Sequence, residues 1–448
     1  MRAWLRQKAI ELRGSYWFLP ALLTTGALVL SIVTWYLDTR IGSTWPDSVS
    51  FLQATKPEGA RSLLSTIAGS TIGVGGTVFS ITIAAVVYAS GSYGPRLLTN
   101  FMNDRGNQFA LGIFIATFVY ALMILRVVRL ADSNGYFAAP SGSFVPQISM
   151  LVALGLALLS VGVLVFFLHH VPQSIQINNV VADIGQSAIS AIEKRYPDEY
   201  DGAEWQDHDV RIGEAVQSHR TGYIEVIDYV TLGQVAERQG VTVRLSVRAG
   251  DFVHPGMALM FVEGTMGEDT PGHLRSAFAI GLSRTQSQDI EFAIDELVEI
   301  ALRALSPGIN DPFTAITCMH WLSAVLTALA DRDLDRDADG QQYGKNNVFC
   351  LADDFEHFVE RSFGALRMSA AANDLASNLY VDALGSVMLR AKTEQRDSAC
   401  RTQVRKLMEQ ARHVLNGPAL YELEKRSTAL LENDRRPPFG ASSGAVLP

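Results

Sequence analysis

The chain has 448 residues, 48% of them apolar, and a net charge of −9, with room for roughly two or three structural units. The charge is uneven: residues 1–182 carry 11 of the 37 Lys/Arg and 6 of the 46 Asp/Glu, leaving 26 against 40 for the remainder. A remainder so acidic, with no local basic face in its sequence, excludes binding to nucleic-acid backbones.

In chain order, a basic amino terminus (Arg2, Arg6, Lys8, Arg13) leads into the apolar run from Trp17 to Leu37, bracketed by Tyr16–Trp17 and Trp35–Tyr36. The run is as long as a full span and ends in no small-x-small cleavage site, so it reads as a retained helix. Aromatic pairs at its ends suit the two membrane interfaces. No charged residue falls between Ser62 and Pro95, between Gly106 and Leu125, or between Ser133 and Ala182. A spanning helix needs ~20 predominantly apolar residues to cross ~30 Å of hydrocarbon. Four spans are therefore placed at about 17–37, 66–89, 106–126 and 148–168, within a transmembrane domain of residues 1–170. None of them is expected to bury an Asp, Glu, Lys or Arg, which weighs against a proton-coupled pump.

The second span differs from the others. Ser62, Thr66, Gly69, Gly73, Gly76, Ser80 and Ala84 recur at steps of three and four, a continuous stripe of small residues on one helix face. Two readings stand. Small stripes let helices pack closely within one subunit. Alternatively, hydroxyls and backbone carbonyls near glycine line a pathway and replace ion hydration without fixed charge. The turn-rich exit Ser90-Gly-Ser-Tyr-Gly-Pro95 brings Arg96 to the interface as a loop or a gating hinge. His169 and His170 close the fourth span; neighbours on a helix point to different sides, so they form an interfacial pair or a pH sensor rather than one metal site.

Residues 171–218 read as a helical connection and a loop broken around 197–209, and residues 219–272 as a small β-rich domain. Within it Gly222–Asp228 and Val241–Val247 alternate like half-buried strands around a short helix at 229–239. Ala249-Gly-Asp-Phe-Val-His-Pro-Gly256 is similar to a turn of biotinyl/lipoyl-type domains, but no lysine lies between Arg195 and Ala338, which excludes a swinging-arm carrier. Residues 273–433 read as helical, with helices at about 290–305, 313–330, 354–369, 373–392, 397–415 and 419–433. Ser306-Pro-Gly-Ile-Asn-Asp-Pro312 stops one helix and starts the next, with Asp311 as N-cap and Pro312 at the first helical position; a ligand or gating role for Asn310 and Asp311 is the competing reading. The Asp-rich stretch 331–340 lacks EF-hand spacing, and 434–448 reads as a disordered tail. The fold class expected is an α-helical protein with four transmembrane helices and a C-terminal soluble α+β domain, a small β scaffold followed by a helical bundle.

No nucleophile elbow, zinc-protease, Walker or dinucleotide motif occurs, and the histidines outside the spans have no metal-ligand spacing. The expectation is a protein without enzymatic activity, with no catalytic residue, no metal and no cofactor. Cys318, Cys350 and Cys400, odd in number and without a Cys-x-x-Cys pair, fit a reducing compartment rather than a disulfide framework. With the compact basic amino terminus, they place both termini in the cytoplasm.

The chain resembles the bacterial predicted membrane proteins grouped as domain of unknown function 2254. The resemblance rests on Gly73-Val-Gly-Gly-Thr-Val-Phe-Ser80, Ser92-Tyr-Gly-Pro-Arg-Leu-Leu98, the 249–256 turn, Ser283-Arg-Thr285, Gln288-Asp289 and Ala304-Leu-Ser-Pro-Gly-Ile-Asn-Asp-Pro-Phe-Thr-Ala315. It covers nearly the whole chain and implies a bacterial inner membrane, with no activity or catalytic residue to carry over. The resulting expectation is a homo-oligomeric inner-membrane channel or pore-like transporter whose cytoplasmic domain regulates or assembles it. Its partners would be the lipid bilayer, further copies of itself and inorganic ions. The alternative is a membrane-anchored sensor or scaffold that binds a ligand or protein through the cytoplasmic domain.

Overall fold

Backbone groups in hydrocarbon have only each other to bond, so apolar runs of this length fold as helices. The computed structural model describes residues 15–41, 56–94, 104–128, 144–196, 212–285, 288–334, 347–351 and 353–432. They fall into two compact units that divide at residue 176. The first holds α1 (Phe18–Ile41), α2 (Pro57–Tyr93), α3 (Arg105–Val127) and α4 (Gln147–Ile175). All four are longer than the spans read from the sequence. Hydropathy marks only the stretch inside hydrocarbon, whereas caps end the helix. Thus α2 starts at Pro57, in the first turn with Glu58, and α4 continues through Pro172 to Ile175.

Helix α3 is the centre of this unit and packs against the other three. Ala110, Phe114, Tyr120 and Ala121 on it are almost fully buried. Two glycines permit the close approach. A Cβ on Gly112 would meet Leu23 Cδ1 at 2.6 Å and Pro20 Cα at 3.1 Å, and one on Gly75 would sit 3.2 Å from Phe114 Cβ. Polar cross-links tie the helices together: Thr34 to Tyr120 at 2.9 Å, the Tyr120 hydroxyl donating to the Ser149 carbonyl at 3.2 Å, and Thr117 to Ser160 at 3.0 Å.

One buried carboxylate corrects the expectation of charge-free spans. Helix α1 runs past residue 37, so Asp38 lies inside it and is only 1% exposed. It accepts from the backbone amides of Ile148 (2.8 Å) and Ser149 (2.9 Å) and from the Ser149 hydroxyl (2.6 Å). These amides open α4 behind Pro146, which offers no side-chain cap. Asp38 therefore caps α4 from another helix, where free N–H groups favour an acidic oxygen.

The second unit begins with α5 (Ile177–Arg195) and continues into β1 (Glu214–Gln217), β2 (Gly222–Ile227), α6 (Tyr229–Gln239), β3 (Thr242–Leu245), β4 (Phe252–Val253), β5 (Ala258–Glu263), α7 (Thr270–Arg275) and β6 (Phe278–Gly281). Then follow α8 (Ile290–Ala304), α9 (Pro312–Ala330), β7 (Val348–Phe349), α10 (Phe355–Val359), a π turn (Glu360–Gly364), α11 (Ala365–Ala371), α12 (Asp374–Met388), α13 (Glu394–Val414) and α14 (Gly417–Glu432). The strands form two sheets, ordered β1-β5-β3-β7 and β4-β2-β6. Their inward residues, among them Val243 and Met260 from one and Ile224 and Val253 from the other, share one core with Leu232 and Leu274.

The fold is not a β scaffold followed by a separate bundle. Strand β6 pairs antiparallel with β2, and β7, between two bundle helices, pairs parallel with β3 as Val243↔Val348. Both come from the segment read as helical. Five helices among the described residues are long and apolar enough to cross a membrane, the fifth being α9, so the sequence's count of four does not follow from length and hydropathy alone. Helix α9 packs against α5, α8 and α12, and a Cβ on Gly185 of α5 would collide with the Trp321 ring.

The three cysteines are free. Cys318 and Cys400 are fully buried and Cys350 half-buried; burial pushes the Cys400 thiol up to about 12. Iodoacetamide at pH 8 is expected to modify Cys350 and to spare Cys318 and Cys400 until the protein is unfolded, as read by peptide mass spectrometry. Native modification of Cys400 at the same rate as Cys350 would contradict this packing.

Candidate functional site

The face that α2 turns to its own unit carries Ala60, Leu64, Ile67, Ala68, Thr71, Gly75, Val78, Thr82, Val86 and Ala89, all buried. With 3.6 residues per turn, the small-residue stripe lies about half a turn away. Ser62, Thr66, Gly69, Gly73, Gly76, Ser80 and Ala84 are all exposed, and a Cβ on Gly69, Gly73 or Gly76 would meet nothing within 4 Å. Among the described residues, nothing packs against the stripe. From Ser62 to Ala84 it runs roughly 33 Å at ~1.5 Å per residue, about the thickness of bilayer hydrocarbon.

Its hydroxyls are anchored to their own helix. Thr66 donates to the Ser62 carbonyl (2.8 Å) and Ser80 to Gly76 (2.9 Å), as Thr77 beside the stripe does to Gly73 (3.1 Å). Such back-bonding satisfies each hydroxyl proton and leaves its oxygen lone pairs facing outward. Leu63 and Ile81 flank the stripe on one side, Ile72 and Phe79 on the other, all exposed. The outward faces of α1 and α4 differ, showing Val29, Ile32 and Val33, and Leu154, Leu158, Val161 and Val165.

The two interfacial histidines separate as adjacent helix residues do. His169 is exposed. His170 Nε2 lies 2.8 Å from Asp104 Oδ2, and its ring stacks on Phe166 at 5.0 Å. Asp104 is also the N-cap of α3, accepting from the Gly106 amide at 2.8 Å. A side chain on Gly106 would collide with the His170 ring, so this glycine makes room for the pair. Arg96, the 197–209 loop and the 434–448 tail lie outside the described residues.

In the second unit Asn310 takes the left-handed conformation (φ 50°) that ends the turn after α8. The Asp311 carboxylate accepts from the Thr314 amide (3.2 Å) and hydroxyl (2.6 Å) and caps α9. These Asp311 contacts close the turn, and Asn310 is exposed.

The Ser283–Asp289 motif has a structural role that the sequence did not disclose. The Gln288 side chain grips the backbone of Ile227 at both ends, its Oε1 accepting from the amide (2.8 Å) and its Nε2 donating to the carbonyl (3.1 Å). Asp289 caps α8 through the Phe292 amide (3.1 Å) and accepts from Arg284 Nε (2.7 Å). Arg284 also reaches Asp295, which Arg361 holds with two further bonds of 2.8 Å. Burial opposes the Arg284 charge, but Asp289 and Asp295 more than offset it and hold the guanidinium above its ordinary range. Burial pushes the Asp289 carboxyl up, against the pull of Arg284 and the Phe292 amide. Gly250 (φ 96°) lies against Asp289 so closely that a Cβ would strike the carboxylate, which joins the 249–256 turn to this network. Among the described residues no three His, Cys, Asp or Glu side chains come together as metal ligands.

Comparison with known proteins adds relatives without a described activity. The chain is 31% identical over 416 residues to the "Uncharacterized protein Mb1321c" of Mycobacterium bovis and to the "Uncharacterized protein Rv1290c" of Mycobacterium tuberculosis. Each alignment covers 89% of this chain and 77% of the relative. No solved structure matches the chain. The family described as "Predicted membrane protein (DUF2254)" matches residues 13–385, and with the long apolar helices already described, the chain belongs to that family of membrane proteins.

Proposed function

We propose that this protein is a homo-oligomeric channel or pore-like transporter of the bacterial inner membrane, in which the outward stripe of α2 lines the pathway between copies. The carrying observation is the continuity of the stripe. Helices α1 and α4 show mostly large aliphatic side chains outward, broken only locally by Thr25 and Gly26 and by Gly155 and Gly162, whereas α2 shows Thr66, Gly69, Gly73, Gly76 and Ser80 in one row. Large aliphatic groups suit lipid tails. Small residues with outward hydroxyl oxygens and accessible helix carbonyls suit a neighbouring helix or a passing ion. The Asp38 carboxylate supports a passive pathway, since three donors from the start of α4 already occupy it and it serves as a cap rather than a proton relay.

In this reading α1 to α4 span the bilayer and α9 is a core helix of the soluble unit. Helix α9 buries Cys318, Met319, Leu322, Leu326 and Leu329 against other helices of that unit, and its mean hydropathy of 1.5 is the lowest of the five candidates. The basic amino terminus then puts both termini and the acidic unit in the cytoplasm, where that unit assembles or regulates the pore.

Purified protein in liposomes is expected to form an oligomer and to release trapped potassium or chloride. Gly73→Leu, whose side chain has open space within its own subunit, is expected to cut that release at least tenfold. Absence of flux under varied voltage, tension and pH would instead favour a membrane-anchored sensor or scaffold.

A further inference from the structure

A cleft of about 340 Å³ opens on the two-sheet part of the second unit, near the lower end of the ~300–1,000 Å³ typical of small-molecule sites. Its floor is apolar, made by Leu259, Phe278 and Ile280, and its polar rim includes His219, Arg220 and Arg275 with no carboxylate among the lining residues. That is unusual in a chain of net charge −9. Elsewhere in this unit half-buried arginines are held: Arg195 and Arg248 share Asp353, Arg284 and Arg361 share Asp295, and Arg401 pairs with Asp397, while Arg332 and the buried Arg396 donate to backbone carbonyls. Arg275 is half-buried too, yet among the described residues neither it nor the Arg220 guanidinium makes an ion pair or hydrogen bond.

The backbone that presents both arginines is fixed. The Ser218 hydroxyl donates to the Arg220 carbonyl (2.8 Å) and accepts from its amide (3.2 Å). The Ser218 amide in turn bonds the Met257 carbonyl at 2.8 Å. Arg275 ends α7 and is held there as the following Ser276 amide bonds the carbonyls of Gly272 (3.1 Å) and His273 (3.2 Å). Arg275 loses part of its water without gaining a carboxylate, which is costly, and with the exposed Arg220 beside it at the cleft a bound anion offsets that cost. Planar guanidinium forks suit phosphate and carboxylate oxygens. Two guanidinium charges match the roughly −2 of a phosphate monoester better than the −1 of a carboxylate, and the aliphatic and aromatic floor takes an apolar body.

We infer that this cleft binds a phosphate monoester with an apolar body, gripped by Arg220 and Arg275 and seated on Leu259, Phe278 and Ile280. The proposal is independent of conduction, since it rests on the soluble unit alone. A free metabolite and a lipid headgroup share this chemistry, and the test separates them. Full-length protein in detergent is titrated calorimetrically with phenyl phosphate, with inorganic phosphate and with phenyl β-glucoside. The same protein in nanodiscs is melted with and without phosphatidic acid.

Saturable binding of phenyl phosphate, at least tenfold tighter than inorganic phosphate and absent for the glucoside, is expected. Arg220→Gln and Arg275→Gln should each weaken it at least tenfold, Arg220→Lys should weaken it less, and Arg238→Gln, outside the cleft, should leave it unchanged. Unliganded melting points equal to wild type establish that the variants fold. A higher melting point with phosphatidic acid that the double Gln variant loses assigns the site to a lipid headgroup, and no rise assigns it to a free phosphate. No saturable binding of either probe, binding unchanged in the double Gln variant, or inorganic phosphate binding as tightly as phenyl phosphate would overturn the inference.

Discussion

Asp38→Leu is expected to destabilise the membrane unit by about 3–9 kcal/mol, at roughly 1–3 kcal/mol for each of three donors left without an acceptor. The two orphaned amides, from Ile148 and Ser149, begin α4, and the Ser149 hydroxyl loses its acceptor as well. Water cannot replace the carboxylate easily, because Asp38 is 1% and Ser149 0% exposed. Asp38→Asn is close to isosteric but keeps only one oxygen, and its new NH2 faces a donor. About half the loss is expected for it, since one strong acceptor survives. Unfolding of the purified protein in mixed micelles by increasing dodecyl sulfate reads both variants. The damage should begin at the α1–α4 contact, so amide exchange in peptides covering the start of α4 is expected to rise first. A Leu variant as stable as wild type would show that Asp38 does not hold α4.

Asp289→Ala is expected to have a comparable effect in the second unit, about 3–5 kcal/mol, the usual cost of removing one partner from a buried ion pair. The Asp289 side chain is 3% exposed and its partner Arg284 13%. The change also removes the N-cap of α8, while Arg284 keeps Asp295, which limits the loss. Gln288→Ala removes only the two bonds to Ile227 and is expected to cost about 1–3 kcal/mol. The two units need not unfold together, so a single melting point does not measure either effect. Hydrogen exchange does, through peptides covering 222–228 and 290–304. Asp289→Ala should speed exchange in both peptides, and Gln288→Ala chiefly in the first. Unchanged protection at 290–304 in Asp289→Ala would contradict the capping role.

How legible these features are in the sequence depends on the range of the interaction that makes them. The helices of the membrane unit are legible because lipid demands long uncharged runs, and Ser62–Pro95 or Ser133–Ala182 can hardly be anything else. Their ends are not, since hydropathy fixes what lies in hydrocarbon while Pro57 and the Asp104 cap fix where helices start. Asp38 escapes for the same reason: it sits one residue beyond the apolar run, and its partners are 110 and 111 residues away. The available clue is that Pro146 opens α4 with no capping side chain of its own. The Asn310–Asp311 turn is legible because its contacts are local, with proline and glycine on one side and Thr314 three residues on.

Strand β7 is only Val348–Phe349, too short for any period, and exists through pairing with a strand about a hundred residues earlier. Strand β6 has four residues and is buried on three of them, so no alternation marks it. The small-residue stripe of α2 is plain from its spacing, but the direction it faces is not, because outward and inward faces of a membrane helix are both apolar in composition. Large residues at Leu64, Ile67 and Val78 on the opposite face, packed on α3 and α4, decide that direction.

The account turns on water reaching that outward face of α2. In protein with Cys318, Cys350 and Cys400 replaced by alanine and reconstituted in liposomes, single cysteines at positions 69, 72, 73, 76 and 79 can be challenged with a membrane-impermeant methanethiosulfonate. Gly69→Cys, Gly73→Cys and Gly76→Cys are expected to react quickly and to block ion release, while Ile72→Cys and Phe79→Cys react at least tenfold more slowly. Equal, slow reaction at all of these positions with no effect on release would mean that lipid, not a pathway, covers the stripe.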